Sequence, residues 1–134
     1  MPLVIDASVC LCWALVDEQH PIADEAYARM RTEEAYVPAL WWFELRNALI
    51  VNERRKRLSE GDVSNFLNQI SDLRIQIDSL PGETDVLALS RKYRLTVYDA
   101  AYLELSRRKY LPLATLDVTL VEAAKRERVD LVGS

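Results

Sequence analysis

Apolar residues along this chain follow two alternating patterns. Short apolar-rich runs, Leu3-Val4-Ile5, Ala35-Tyr36-Val37, Ile75 to Ile77 and Leu111 to Leu116, predict four strands. Between them, apolar positions recur every three or four residues. That spacing predicts helices over about Val9 to Val16, Ile22 to Arg31, Leu40 to Arg57, Ser59 to Leu73, Glu83 to Arg94, Val97 to Lys109 and Asp117 to Arg128. Local chemistry marks several ends. Ser8 is placed to cap the first helix, and Pro21 suits the first turn of the second. Ser59 with Asp62 three residues on has the form of a capping box. Leu131-Val132 suggests a short closing strand. Strands alternating with amphipathic helices predict an α/β fold, a three-layer α/β/α sandwich with a mostly parallel sheet of about four to five strands. In that architecture functional groups gather outside the carboxyl ends of the strands.

The apolar pattern is broken by acids at telling places. Asp6 ends the first run and Asp117 follows the last. Glu44 interrupts Leu40 to Leu45, with Leu40 and Ala48 one turn away on either side and Asn47 at i+3. Asp99 lies in the first turn of its helix, with Tyr102 and Leu103 at i+3 and i+4. Each has an ordinary reading alone: Asp6 and Asp117 as helix caps, Asp99 as an acid at a positive dipole end, Glu44 as a partner of Arg46 or Arg54. Together they share helix starts or apolar helical surroundings, and Asp6 and Asp117 face the same end of the sheet. Glu104 is a contrast, reading as a solvated partner of Arg107 and Arg108 at helical spacing. Four carboxylates brought together repel, and a hard divalent ion such as Mg²⁺ or Mn²⁺ relieves this. Carboxylates with metal-held water make a phosphoryl-transfer site.

Composition narrows the choices further. The 134 residues suit a single domain spanning 1–134, with half the residues apolar and only three glycines. The net charge of −4 argues against coating nucleic acid by bulk positive charge. Basic residues still cluster, at Arg54 to Arg57, Arg91-Lys92 with Arg94, Arg107 to Lys109, and Lys125-Arg126 with Arg128. Most of these are helix C-terminal turns, leaving one or two to line a phosphate path. Cys10, Cys12 and the single His20 do not make a thiolate/imidazole metal site, no Ser/His/Asp arrangement competes because His20 stands alone in a polar loop, and no glycine-rich phosphate loop exists. No basic leader or long apolar run is seen, so a reduced, cytoplasmic setting is expected. Trp13 is expected in the core, and one of Trp41 or Trp42 at a groove for a protein partner.

The blocks VIDASV, FELRNAL, LTVYDAAYLELS and LATLD, in this order, resemble the PIN domain, and more narrowly the VapC-type ribonuclease toxins of bacterial and archaeal toxin–antitoxin pairs. The resemblance covers essentially the whole chain. It implies an α/β/α sandwich and a Mg²⁺- or Mn²⁺-dependent endoribonuclease that cleaves RNA. Such proteins are commonly homodimers and are held inactive by a cognate antitoxin. Carried over residue by residue, it puts the acids of the metal site on Asp6, Glu44, Asp99 and Asp117, with Ser8, Asn47 and Thr115 supporting them. Val118, where many relatives have a polar or basic residue, and Trp41-Trp42, bulkier than the usual helix entry, depart from the pattern and bear on substrate choice more than on chemistry. Two other acid-bearing α/β classes fit less well. A receiver domain wants an acid pair after its first strand, and a haloacid-dehalogenase-like phosphatase wants a second Asp where Ser8 stands. A PIN-like protein without a toxin role, either an RNA-processing nuclease or a catalytically silent binding module, is the remaining alternative.

Overall fold

A computed structural model describes residues 1–133 of the chain. All the expected elements form, in the expected order. They are β1 (Leu3–Ile5), α1 (Ala7–Ala14), α2 (Pro21–Arg29), β2 (Ala35–Val37), α3 (Leu40–Arg54), α4 (Glu60–Ser71), β3 (Ile75–Ile77), α5 (Glu83–Tyr93), α6 (Val97–Lys109), β4 (Leu113–Ala114) and α7 (Val118–Arg126). The strands make one parallel sheet in the order β3-β2-β1-β4. Beyond β4 the expected closing strand is reduced to a single bridge from Leu131 to Leu113.

The sheet order explains where a site can form. The chain steps outward from β1 to β2 to β3, then returns to place β4 on the other side of β1. The strand order therefore reverses at the carboxyl ends of β1 and β4, which is where α/β proteins open a crevice. β1 is fully buried, with Leu3, Val4 and Ile5 at 0% exposure, as a central parallel strand requires. α1, α2 and α4 lie together, sharing clefts around Trp13 and Gln69. α5 packs on α6, and α6 packs on both α7 and β1. α3 starts beyond the carboxyl end of β2 and touches both groups. Trp41 donates to Cys10 Sγ of α1 at 3.4 Å, and Tyr102 of α6 donates to Glu44 at 2.7 Å.

Three expectations need correction. The first helix is capped by Asp6, whose carboxylate accepts the Val9 N–H at 3.1 Å, while Ser8 lies inside the helix. α3 stops at Arg54 rather than Arg57 because Lys56 turns to a positive φ of 59°. Arg57 then folds back onto Asn52, Asp17 and Glu18, so it lines no phosphate path. Glu104 is not solvated: it is 3% exposed and accepts from Arg108 Nε at 2.6 Å and from the Gly82 N–H at 3.3 Å. The loop before α5 covers it, and Arg107 pairs with Glu127 instead. Trp13 is half-buried, its indole N–H donating to the Ala23 carbonyl at 2.8 Å.

Candidate metal centre

The site is built from β1 outward. β1 ends at Ile5 and α1 begins at Ala7, so Asp6 occupies the junction where backbone N–H groups lack partners. Its Oδ1 accepts the Val9 N–H and the Ser8 hydroxyl, the latter at 2.6 Å. Its Oδ2 accepts the Thr115 hydroxyl, which comes from just beyond β4. Thr115 Oγ1 in turn accepts the Asp117 N–H at 3.1 Å, and Ser8 Oγ accepts the Leu116 N–H at 3.4 Å. These hydrogen bonds lock the ends of β1 and β4 to one another. Asp6 is 6% exposed and Thr115 is 2% exposed, so the arrangement is part of the core and not a surface decoration. Three acceptor positions of the Asp6 carboxylate are used; one of its roughly four lone-pair directions remains free.

Asp117 caps α7, its Oδ1 accepting the Leu120 N–H at 3.0 Å, and it is exposed. Asp99 lies in the first turn of α6, whose cap is Thr96: the Thr96 hydroxyl accepts the Asp99 N–H at 3.0 Å. Glu44 is half-buried on α3 and its Oε1 takes the hydroxyl of Tyr102, which is 1% exposed. Three helix N-termini and one mid-helix residue thus supply the acids.

Electrostatics link the acids in a chain, Glu44 and Asp6 to Asp99 and Asp99 to Asp117. Burial pushes the Asp6 carboxyl upward against the three hydrogen bonds that hold its ionised form, and the Asp99 charge adds to the rise. Burial also raises Glu44, as do the charges of Asp6 and Asp99, while Tyr102 opposes. Asp99 is raised by burial and by Asp117. No lysine or arginine is among the groups that shift these three acids. The carboxylates therefore repel one another without a basic counter-charge. As their side chains lie, no three Asp, Glu, His or Cys groups among the described residues form a ready-made cage for an ion. The carboxylates of Asp6, Glu44 and Asp117 instead accept hydrogen bonds from donors in their own surroundings. The donor chemistry nonetheless fits a hard divalent cation, being all carboxylate oxygen with hydroxyl support and no imidazole or thiolate.

Of the residues singled out in the sequence, Ser8 and Thr115 touch Asp6 directly. Asn47 does not join them: it is exposed, one turn from Glu44, and makes none of the hydrogen bonds that orient the acids. Two contributors were missed. Tyr102 holds Glu44 across helices, and its only signal was its place one turn after Asp99. Thr96 caps α6, and its signal was the Thr-x-x-Asp spacing. A cleft of about 480 Å³ lined by Glu104, Arg107, Arg108 and Glu127 contains none of the four acids and belongs to the other end of α6.

The PIN domain family model matches residues 3–126, taking in β1 through α7 and all four acids. The chain belongs to the PIN-domain family. Within it, the chain is 32% identical over 125 residues to Ribonuclease VapC3 of Pyrobaculum aerophilum, spanning 91% of this chain and 94% of that protein. The crystal structure of PAE2754 from Pyrobaculum aerophilum superposes with a TM-score of 0.69 at 23% identity, covering 92% of this chain and 87% of the other. The crystal structure of FitAcB from Neisseria gonorrhoeae gives 0.55 at 18% identity, covering 99% and 97%. At these identities the two structures speak for the PIN fold. Among the described residues of this PIN chain, no helix is long and apolar enough to cross a membrane.

Proposed function

We propose that this PIN protein is a divalent-metal-dependent endoribonuclease, acting as the toxin of a toxin–antitoxin pair and hydrolysing RNA phosphodiester bonds. The observation that carries the reading is the buried, hydroxyl-held Asp6 at the β1/β4 reversal, coupled to Asp99 and Glu44 with no basic group to balance them. The 32% identity to a protein named Ribonuclease VapC3 supports the nuclease reading, and the toxin role rests on the resemblance of the four sequence blocks to VapC-type toxins. A cognate antitoxin, a homodimer and a cytoplasmic setting belong to this proposal as well.

Asp6, Asp99 and Asp117 would hold Mg²⁺ or Mn²⁺, with Glu44 beside them. Such an ion supplies Lewis-acid polarisation of the phosphate and makes water more acidic at neutral pH. The chain's own residues do the rest. Ser8 and Thr115 fix the Asp6 rotamer, as supporting residues commonly do around metal ligands. Tyr102 fixes Glu44 Oε1 and leaves Oε2 to orient the attacking water and accept its proton.

Purified protein should cleave single-stranded RNA with Mg²⁺ or Mn²⁺, lose the activity in EDTA, and lose at least about 100-fold in rate with Asp6→Asn or Asp99→Asn. Activity that survives EDTA or both substitutions sinks the proposal. The toxin role has its own readout. Expression in bacteria should arrest growth, and Asp6→Ala should relieve it; a harmless wild type that still cleaves RNA favours a processing nuclease.

A further inference from the structure

Exposed rings stand beside the acids in the chain. Phe43 precedes Glu44 and is 68% exposed, and Tyr98 precedes Asp99 and is 62% exposed. Trp42, 42% exposed, meets Phe43 edge-on at 5.0 Å, and the Arg46 guanidinium lies 4.0 Å over the Trp42 ring. Consecutive residues are about 3.8 Å apart at Cα, so a polynucleotide seated at Glu44 and Asp99 has its neighbouring nucleotides within reach of these rings. Large apolar groups gathered at a functional rim mark a binding surface. Cations flank it. Arg94, the C-cap of α5, and Arg91 one turn earlier are exposed, join no ion pair among the described residues, and lie just ahead of the N-terminus of α6. Rings with adjacent cations around a phosphate-cleaving centre match an unpaired polynucleotide, whose bases stack and whose phosphates seek arginine. A duplex would keep its bases from the rings.

Resting on the nuclease reading above, we infer that Tyr98 and Phe43 are stacking platforms for unpaired bases that neighbour the scissile phosphate, with Arg94 binding a nearby phosphate. The platforms select single-stranded over paired RNA and contribute affinity that salt does not screen. They act on binding, since stacking on a ring face supplies affinity and not chemistry.

The test uses the full chain with Mn²⁺ under single-turnover conditions. The probes are a fluorescein-labelled mixed-sequence single-stranded RNA 20-mer and a hairpin of matched composition. Tyr98→Ala should raise the half-saturating protein concentration on the order of 10-fold or more and leave the maximal rate within about 3-fold. Tyr98→Phe should restore binding, because a ring suffices. Arg94→Gln should reduce the slope of log affinity against log salt by about 0.7, as expected for one lost single-strand phosphate contact. Light scattering should give the same mass for every variant, and the hairpin should be the poorer substrate throughout. Unchanged half-saturation in Tyr98→Ala overturns the inference while leaving the nuclease reading intact. So does a fall in mass that tracks the loss of binding, which would make this face a protein contact. A wild type that cleaves neither probe overturns both.

Discussion

Asp6 does two jobs that pull against each other. As a helix cap it needs to accept hydrogen bonds, and as part of an acidic cluster it needs to remain ionised while 6% exposed. Ser8, Thr115 and the Val9 N–H favour the ionised form, and burial disfavours it more strongly. Thr115→Val keeps the shape and removes one donor. It should destabilise the protein by about 1–3 kcal/mol at pH 7, the cost of leaving a buried charged acceptor short of a partner. The penalty should shrink as pH falls from about 7 to about 4, because burial makes Asp6 take up its proton earlier than an ordinary carboxylate. Urea unfolding at the two pH values checks this, and an equal loss at both would count against it. The sequence made the acids visible because each broke an apolar pattern. It could not show that Thr115 and Ser8 meet on one carboxylate, because that contact joins residues 109 positions apart. Nor could it reveal Tyr102 as the partner of Glu44, since α3 and α6 meet only once the sheet is assembled.

Among the elements, periodicity located every strand and helix, and capping chemistry placed several of the ends. Ser59 and Asp62 form the reciprocal cap their spacing predicts. The errors arose where tertiary contact overrode a local reading. Ser8 looks like a cap by type, but Asp6 is better placed to receive the Val9 N–H. Glu104 looks like a surface acid by spacing, but the α5–α6 packing closes over it. Arg108 holds Glu104 and also reaches Asp78 at 2.6 Å, tying the C-terminal half of α6 to the segment after β3. Arg108→Ala should therefore cost on the order of 1–2 kcal/mol, less than a wholly buried pair because the Arg108 side chain is 40% exposed. Arg108 lies nine residues from Asp99, about 13 Å along the helix. Cleavage per folded molecule should stay unchanged. Chemical denaturation followed by assay of the variant separates the two effects, and a large loss of rate without a loss of stability would refute the assignment.

For the molecule as a whole, the acidic centre sets a stability cost that metal should reverse. Asp6, Glu44 and Asp99 have folded-state values raised above their ordinary ones. The folded chain therefore holds protons there that the unfolded chain has released. Stability from these groups is present below their ordinary carboxylate range and is lost as pH rises through their raised values. Glu127 works the other way. The Tyr93 hydroxyl, Lys92 and Arg107 hold it lowered, so its contribution is present above its ordinary value and is lost as pH falls. As pH rises through the raised values of the three acids, the melting midpoint of the metal-free protein should fall. Mn²⁺ binds the ionised cluster, so it should raise the midpoint more at pH 7.5 than at pH 5. At a hundredfold excess over its dissociation constant the gain is about 2.7 kcal/mol, several degrees for a chain of this size. The Asp6→Asn, Asp99→Asn double variant should show a flatter pH dependence in EDTA and little response to Mn²⁺. Differential scanning calorimetry at both pH values, with and without Mn²⁺, decides the matter. A midpoint that climbs with pH in EDTA, or an equal Mn²⁺ response in the double variant, would place the source of the effect outside these acids.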